Sequence, residues 1–64
     1  MRNAIKSPKV PKAVLDDPDA LERLALEKIA AFCSDHDLTF TGEKTVTRDG
    51  ESGIVIQFTT EGPS

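Results

Sequence analysis

The chain has no tryptophan and no tyrosine, a single cysteine, and three phenylalanines in 64 residues. Each shortage excludes something. Cys33 alone cannot form an internal disulfide. His36 is the only histidine, so a zinc set of three or four Cys and His ligands cannot be assembled. The longest apolar stretches run a few residues, far below the ~20 needed to cross a bilayer. Nothing at the N-terminus resembles the apolar core of a signal peptide. These absences favour a cytoplasmic protein with no membrane association. Beginning at Met1, the chain reads as a small complete frame of a size that suits a virus or mobile element.

What is there is an unequal distribution of charge. Residues 1–13 hold Arg2, Lys6, Lys9 and Lys12 and no acid, whereas all eleven Asp and Glu lie after them. The net charge of −3 therefore hides a basic start and a strongly acidic remainder. Such a split bears on solubility and partners and leaves the fold open. Hydrophobic residues at 38% and charged residues at 30% are those of a chain that folds. A domain this short buries only about 60% of its unfolded surface. Without disulfide or metal, packing or self-association must supply the stability, and a homodimer is expected.

Pro8 and Pro11 hold residues 1–13 extended, and Ile5 and Val10 are the only large apolar groups beyond Met1. This segment reads as a flexible basic arm, with polyproline II around Ser7–Lys12 where it is ordered. Residues 14–60 read as the folded domain and 61–64 as a disordered tail. Val14 and Leu15 form an apolar clip before the first element.

Asp17 followed by Pro18 is a strong helix start, with Asp19 and Glu22 near the positive end of the dipole. The spacing predicts a helix over about 18–35. Leu21, Ala25, Ile29, Phe32 and Cys33 share one stripe, and Arg23 and Glu27 lie opposite as an exposed i,i+4 pair. Leu24 and Leu26 flank the stripe, making it wider than one hairpin can cover. Both are therefore expected at the dimer interface.

After Asp37 the apolar period falls to two: Leu38, Phe40, Val46, Ile54, Ile56 and Phe58. An antiparallel hairpin or three short strands over about 38–60 follow, giving an α+β fold of one helix on a small sheet. Asp49-Gly50 marks the turn. A two-residue loop would waste the pattern by pairing Val46 with Gly53. A three-residue loop pairs Val46 with Ile54, and a loop over Asp49–Gly53 pairs it with Ile56. Either places the large groups on one face, and Gly53 supports a bulge or longer turn. Gly42 leaves 38–41 as a separate strand or as the start of one long bent strand.

Chemistry is sparse. Cys33 and His36 stand three apart at a helix end, where the dipole disfavours a thiolate and favours a protonated imidazole. Ser34, Asp35, His36 and Asp37 have the letters of a hydrolase triad, but triads assemble from separated segments beside an oxyanion site. The acids at the helix start lack a calcium loop's spacing. No phosphate-loop pattern occurs. No enzyme and no cofactor are expected.

Two binding readings remain. In the first, the chain is a non-enzymatic protein-binding regulator or inhibitor acting through an acidic helix surface and sheet edge, with Asp16, Asp17, Asp19, Glu22, Glu27 and Glu43 as contacts. Its sharper form is a phage-encoded inhibitor occupying a basic channel of a nucleic-acid-handling host protein. In the second, Arg2, Lys6, Lys9 and Lys12 neutralise phosphates, making the chain a nucleic-acid accessory protein. The acidic body and the core positions of all three phenylalanines disfavour the second. Pro8 and Pro11 also meet the minimal PxxP spacing, a pattern short enough to recur by chance.

Overall fold

The computed structural model describes residues 1–62, so the part of the proposed tail at 63–64 lies outside the described residues. Its clearest feature is the helix start anticipated at Asp17. The Asp17 carboxylate accepts the backbone N–H of Asp19 at 3.1 Å and of Ala20 at 3.4 Å, and Pro18 occupies the first helical position. The main helix, α2, runs Pro18–His36; a four-residue helix, α1, at Lys12–Leu15 precedes it. Ala25, Ile29 and Cys33 form its buried stripe.

At the far end Asp37 takes a left-handed conformation, φ 55° and ψ 47°, and its N–H bonds to the Cys33 carbonyl, which also accepts from Leu38. A side chain in that region carries a steric cost that glycine avoids. Asp37→Gly is therefore expected to stabilise the protein by about 0.5–1 kcal/mol, the relief being partly offset by the freer unfolded chain. A rise of a few degrees in the thermal midpoint checks this; a lower midpoint would show that the carboxylate contributes more than the backbone relief.

Three antiparallel strands complete the fold: β1 (Arg2–Ser7), β2 (Thr39–Asp49) and β3 (Gly53–Glu61), ordered β1-β3-β2. The fold is thus α+β, but its third strand comes from the N-terminus. The segment read as a flexible arm is instead an edge strand, followed by Val10, which is 4% exposed. The reason is physical. β3 carries Ile54, Ile56 and Phe58, all buried, and a strand with such a row needs a neighbour on each side. β1 supplies the second neighbour by alternation: Asn3, Ile5 and Ser7 are half-buried, and Arg2, Ala4 and Lys6 are exposed. Beyond β1 the chain is tied to the hairpin turn, since Val10 N–H donates to the Ser52 carbonyl at 2.8 Å and Ser52 Oγ donates to the Pro8 carbonyl at 3.2 Å.

The hairpin register is the one that sets Val46 opposite Ile56, with Asp49 opposite Gly53 and the turn at Gly50–Ser52. Ile5, Ile56 and Val46 thereby form one row across all three strands beneath the helix. Leu38 stays outside the sheet, and Thr39 begins one long strand. Its pairing shifts between Phe40 and Lys44, around Gly42 at φ 102°. Glu61 belongs to β3, so the tail assigned to 61–64 starts too early.

The core lies between α2 and the sheet. Val10, Ala25, Ile29, Cys33, Ile54, Ile56 and Phe58 are buried, and Val14, Leu15, Leu21 and Leu24 pack against them. Each fully buried aliphatic side chain contributes about 1.5–3 kcal/mol. Phe58 meets Phe32 edge-on at 5.3 Å and Phe40 at 6.3 Å, so the three aromatic rings gather on the helix side. Thr60, fully buried, is satisfied by Asn3, whose Nδ2 donates to its hydroxyl at 2.7 Å, and by a backbone bond from its own N–H to the Met1 carbonyl. Among the described residues no helix is long and apolar enough to cross a membrane.

Candidate functional site

α2 covers one face of the sheet and leaves the other open. Alternation along β1 and β3 places Arg2, Lys6, Gln57 and Thr59 on the open side, and β2 adds Thr45 and Thr47. A shallow groove of about 510 Å³ lies at the bulged end of the sheet, with Arg2 and Glu43 in its lining and Thr45, Gln57 and Thr59 between them. The side chains of this wall are cationic, anionic, amide and hydroxyl groups, suited to binding polar matter. None is a thiol or imidazole.

The acids at the helix start divide by what they do. Asp17 is occupied in capping. Glu22 accepts from Lys44 Nζ at 2.9 Å, tying α2 to β2; Glu22 is 59% exposed and Lys44 20%. An ion pair so open to water is worth about 0–1 kcal/mol. Asp16, Asp19 and Glu27 are exposed and make no side-chain hydrogen bond or ion pair among the described residues. Glu43 lies apart from them, in the groove wall. The i,i+4 pair expected between Arg23 and Glu27 does not form: Lys44 with Glu22 is the one salt bridge among the described residues. A flexible exposed pair gains too little in water to hold two long side chains in one geometry.

The two flanking leucines separate. Leu24 is partly covered from within, whereas Leu26 remains 42% exposed. The sheet has one strand more than the hairpin from which the sequence argument started, and α1 adds Val14 and Leu15 to the core, so the wide stripe is partly covered within one chain.

The four basic residues of the N-terminal segment also part company. Arg2 and Lys6 share the open side of β1, while Lys9 and Lys12 are exposed beyond its end. Sequence reasoning overlooked Gln57, Thr45 and Thr59 as neighbours of Arg2. The signal was the period-two pattern of residues 2–7, hidden because only Ile5 in it is strongly apolar.

Cys33 is buried, whereas His36 is exposed with its ring 4.4 Å from Phe32, centroid to centroid. The two do not form a hydrogen-bonded pair among the described residues. No group of three or more His, Cys, Asp or Glu capable of holding a metal occurs among the described residues. Ser34, Asp35, His36 and Asp37 are all exposed at the end of α2, outside the groove. Compared with known protein families, curated proteins and solved structures, the chain gives no significant match.

Proposed function

We propose that the chain is a small non-enzymatic protein-binding regulator or inhibitor, acting in the cytoplasm as a homodimer through the acidic surface of α2 and a sheet edge. The observation that carries this reading is the state of Asp16 and Asp19: both exposed, both without an internal side-chain partner, and beside Asp17 at the α1–α2 junction. A partner with a basic surface, such as the nucleic-acid channel of a host protein met by a phage product, would neutralise them. Opposed potentials of this kind steer encounter and fix orientation.

Charge reversal tests the reading. The variant Asp16→Lys/Asp19→Lys should lose about tenfold or more in affinity for a partner captured from host extract, identified by mass spectrometry and then purified. Raising the salt should weaken the wild-type complex. An unchanged affinity in the reversed variant, with helical circular dichroism intact, would remove the electrostatic contact.

A second reading is favoured by one specific observation, the placement of Arg2 and Lys6 on the same open side of the sheet. There they could meet the phosphates of a nucleic acid. The absence of an aromatic side chain on that side weighs against it, since all three phenylalanines point to the core. Salt-dependent retention of single-stranded or duplex DNA or RNA, lost in Lys6→Ala/Lys9→Ala/Lys12→Ala, would favour this reading over the first.

A further inference from the structure

We infer that the free edge of β2 and the Leu26 flank of α2 form a single surface that takes a second copy of this chain. Two copies would then share a six-stranded sheet with two antiparallel α2 helices on one side. This rests on the homodimer in the reading above and assigns its contact.

The surface follows from how α2 lies on the sheet. The bridge from Lys44 to Glu22 shows that the Glu22 flank of the helix leans over β2, an outer strand whose far edge has no neighbouring strand among the described residues. Leu26 and Ala30 follow Glu22 at four-residue steps and lie on that flank, both exposed. A large apolar side chain therefore stands over an unpaired strand edge, with a small residue next to it that allows a second helix to approach.

Self-pairing demands one two-fold axis for both elements, and their positions along the fold meet that demand. The helix and β2 leave the same connection at Asp37–Leu38 and run in opposite directions. Leu26 lies ten residues from the end of α2 at His36, about 15 Å back along the helix. The same distance along β2 from Thr39 ends between Glu43 and Lys44 at about 3.3 Å per residue. An axis through Leu26 thus passes within one or two residues of the middle of β2.

Charge then selects the register. An antiparallel ladder about an axis normal to the sheet places residues of one face opposite each other. Centred on Lys44, it would set that lysine against its own copy. Centred on Val46, it would oppose Lys44 to Arg48 and Glu43 to Asp49. Centred on Thr45, it opposes Thr45 to itself, Lys44 to Val46 and Glu43 to Thr47, with no like charges face to face. On the helices, the same axis brings Arg23 of each copy beside Glu27 of the other. Neither side chain forms an ion pair within one chain among the described residues. The edge of β1 lacks this fit, because pairing it about Ala4 would oppose Arg2 to Lys6, and such cations guard an edge against association. Asp16 precedes α2, stays outside this contact and remains available to a partner protein, whereas Asp19, seven residues before Leu26 on the same flank, lies at its outer end.

Sedimentation of the full chain, with thiol crosslinking, tests the assignment. The wild type should sediment as a dimer at submillimolar concentration, and Leu26→Glu as a monomer with unchanged circular dichroism, since Leu26 contributes little to its own core. Arg23→Glu should weaken association about tenfold, with Arg23→Glu/Glu27→Arg restoring it, because each reversal acts at two symmetric contacts. Thr45→Cys should crosslink into a covalent dimer on mild oxidation or with a short bifunctional thiol reagent, and Lys6→Cys should not. A dimer that persists in Leu26→Glu, or fails to crosslink through Thr45→Cys, would overturn this contact and leave the homodimer standing. A wild type that remains monomeric would overturn both, without touching the partner role of Asp16 and Asp19.

Discussion

Replacing Ile56 by alanine is expected to remove about 3–4 kcal/mol of stability, enough to leave a large part of so small a domain unfolded at room temperature. Ile56 has no exposed surface and lies in the central strand, opposite Ile5 of β1 on one side and Val46 of β2 on the other. Shortening it removes the transfer energy of three carbons and leaves a cavity at the point where the sheet's rows and α2 converge. Neighbours cannot fill it without moving, because both flanking strands are hydrogen-bonded to the one that carries it. Ile56→Val should cost only about 1 kcal/mol, since it leaves a smaller void of the same shape. Urea titration followed by circular dichroism measures both. A loss below about 1 kcal/mol for the alanine variant would mean that the core collapses around the gap, contrary to the packing described.

The same row shows how far the sequence discloses the fold. Helix α2 was legible because its signals agree: an Asp-Pro start, acids in the first turn, and an apolar stripe of period 3.6. Its observed bounds, Pro18–His36, extend the expected span by one residue. The hairpin was legible in its faces and undecided in its register, because either odd loop keeps Val46 on the apolar side. A one-step slip flips every side chain and is visible in a pattern; a two-step slip flips none and is not. The two differ in what faces Gly53: Thr47 if Val46 met Ile54, and Asp49 in the ladder observed, where Gly53 closes the hairpin.

Strand β1 was missed for a different reason. Arg2, Lys6 and the two prolines after them dominate a local reading, whereas pairing with β3 joins residues 47 to 57 positions apart, from Ser7 with Ile54 to Arg2 with Thr59. No local pattern carries it. The gain comes from Ile5 covering the Ile56 row and from Val10 entering the core, together with the bonds of Asn3 and Thr60. On the candidate surface, the exposure of the acids was legible from their position on the helix. The separation of Leu24 from Leu26 was not, because it depends on how far the extra strand and α1 extend the core.

Gly53→Ala is expected to cost roughly 2–3 kcal/mol, more than Gly50→Ala at the neighbouring turn, although backbone angles alone give the reverse order. Gly50 adopts φ 76°, where an alanine is strained by about 1 kcal/mol, but the space around it is open. Gly53 needs no left-handed angle. A Cβ at Gly53 would lie 2.5 Å from the Asp49 carbonyl oxygen and 3.4 Å from both Pro8 Cα and the Ser7 oxygen. The first contact is with backbone, in the residue pair that closes the hairpin, so it cannot be relieved by turning a side chain. Relief must come from opening the Asp49–Gly53 end of the ladder. That displaces Ser52, whose carbonyl and hydroxyl hold the Val10 and Pro8 segment to the turn. The substitution should therefore loosen two regions together, the hairpin end and the end of β1. Hydrogen exchange at Val10, Ile54 and Val55 should accelerate well beyond what the global loss of stability explains, whereas in Gly50→Ala it should follow global stability alone. Equal losses in the two variants would show that the close approach at Gly53 is relaxed without cost, and that the turn, rather than the packing of β1's end against it, sets the stability of this corner.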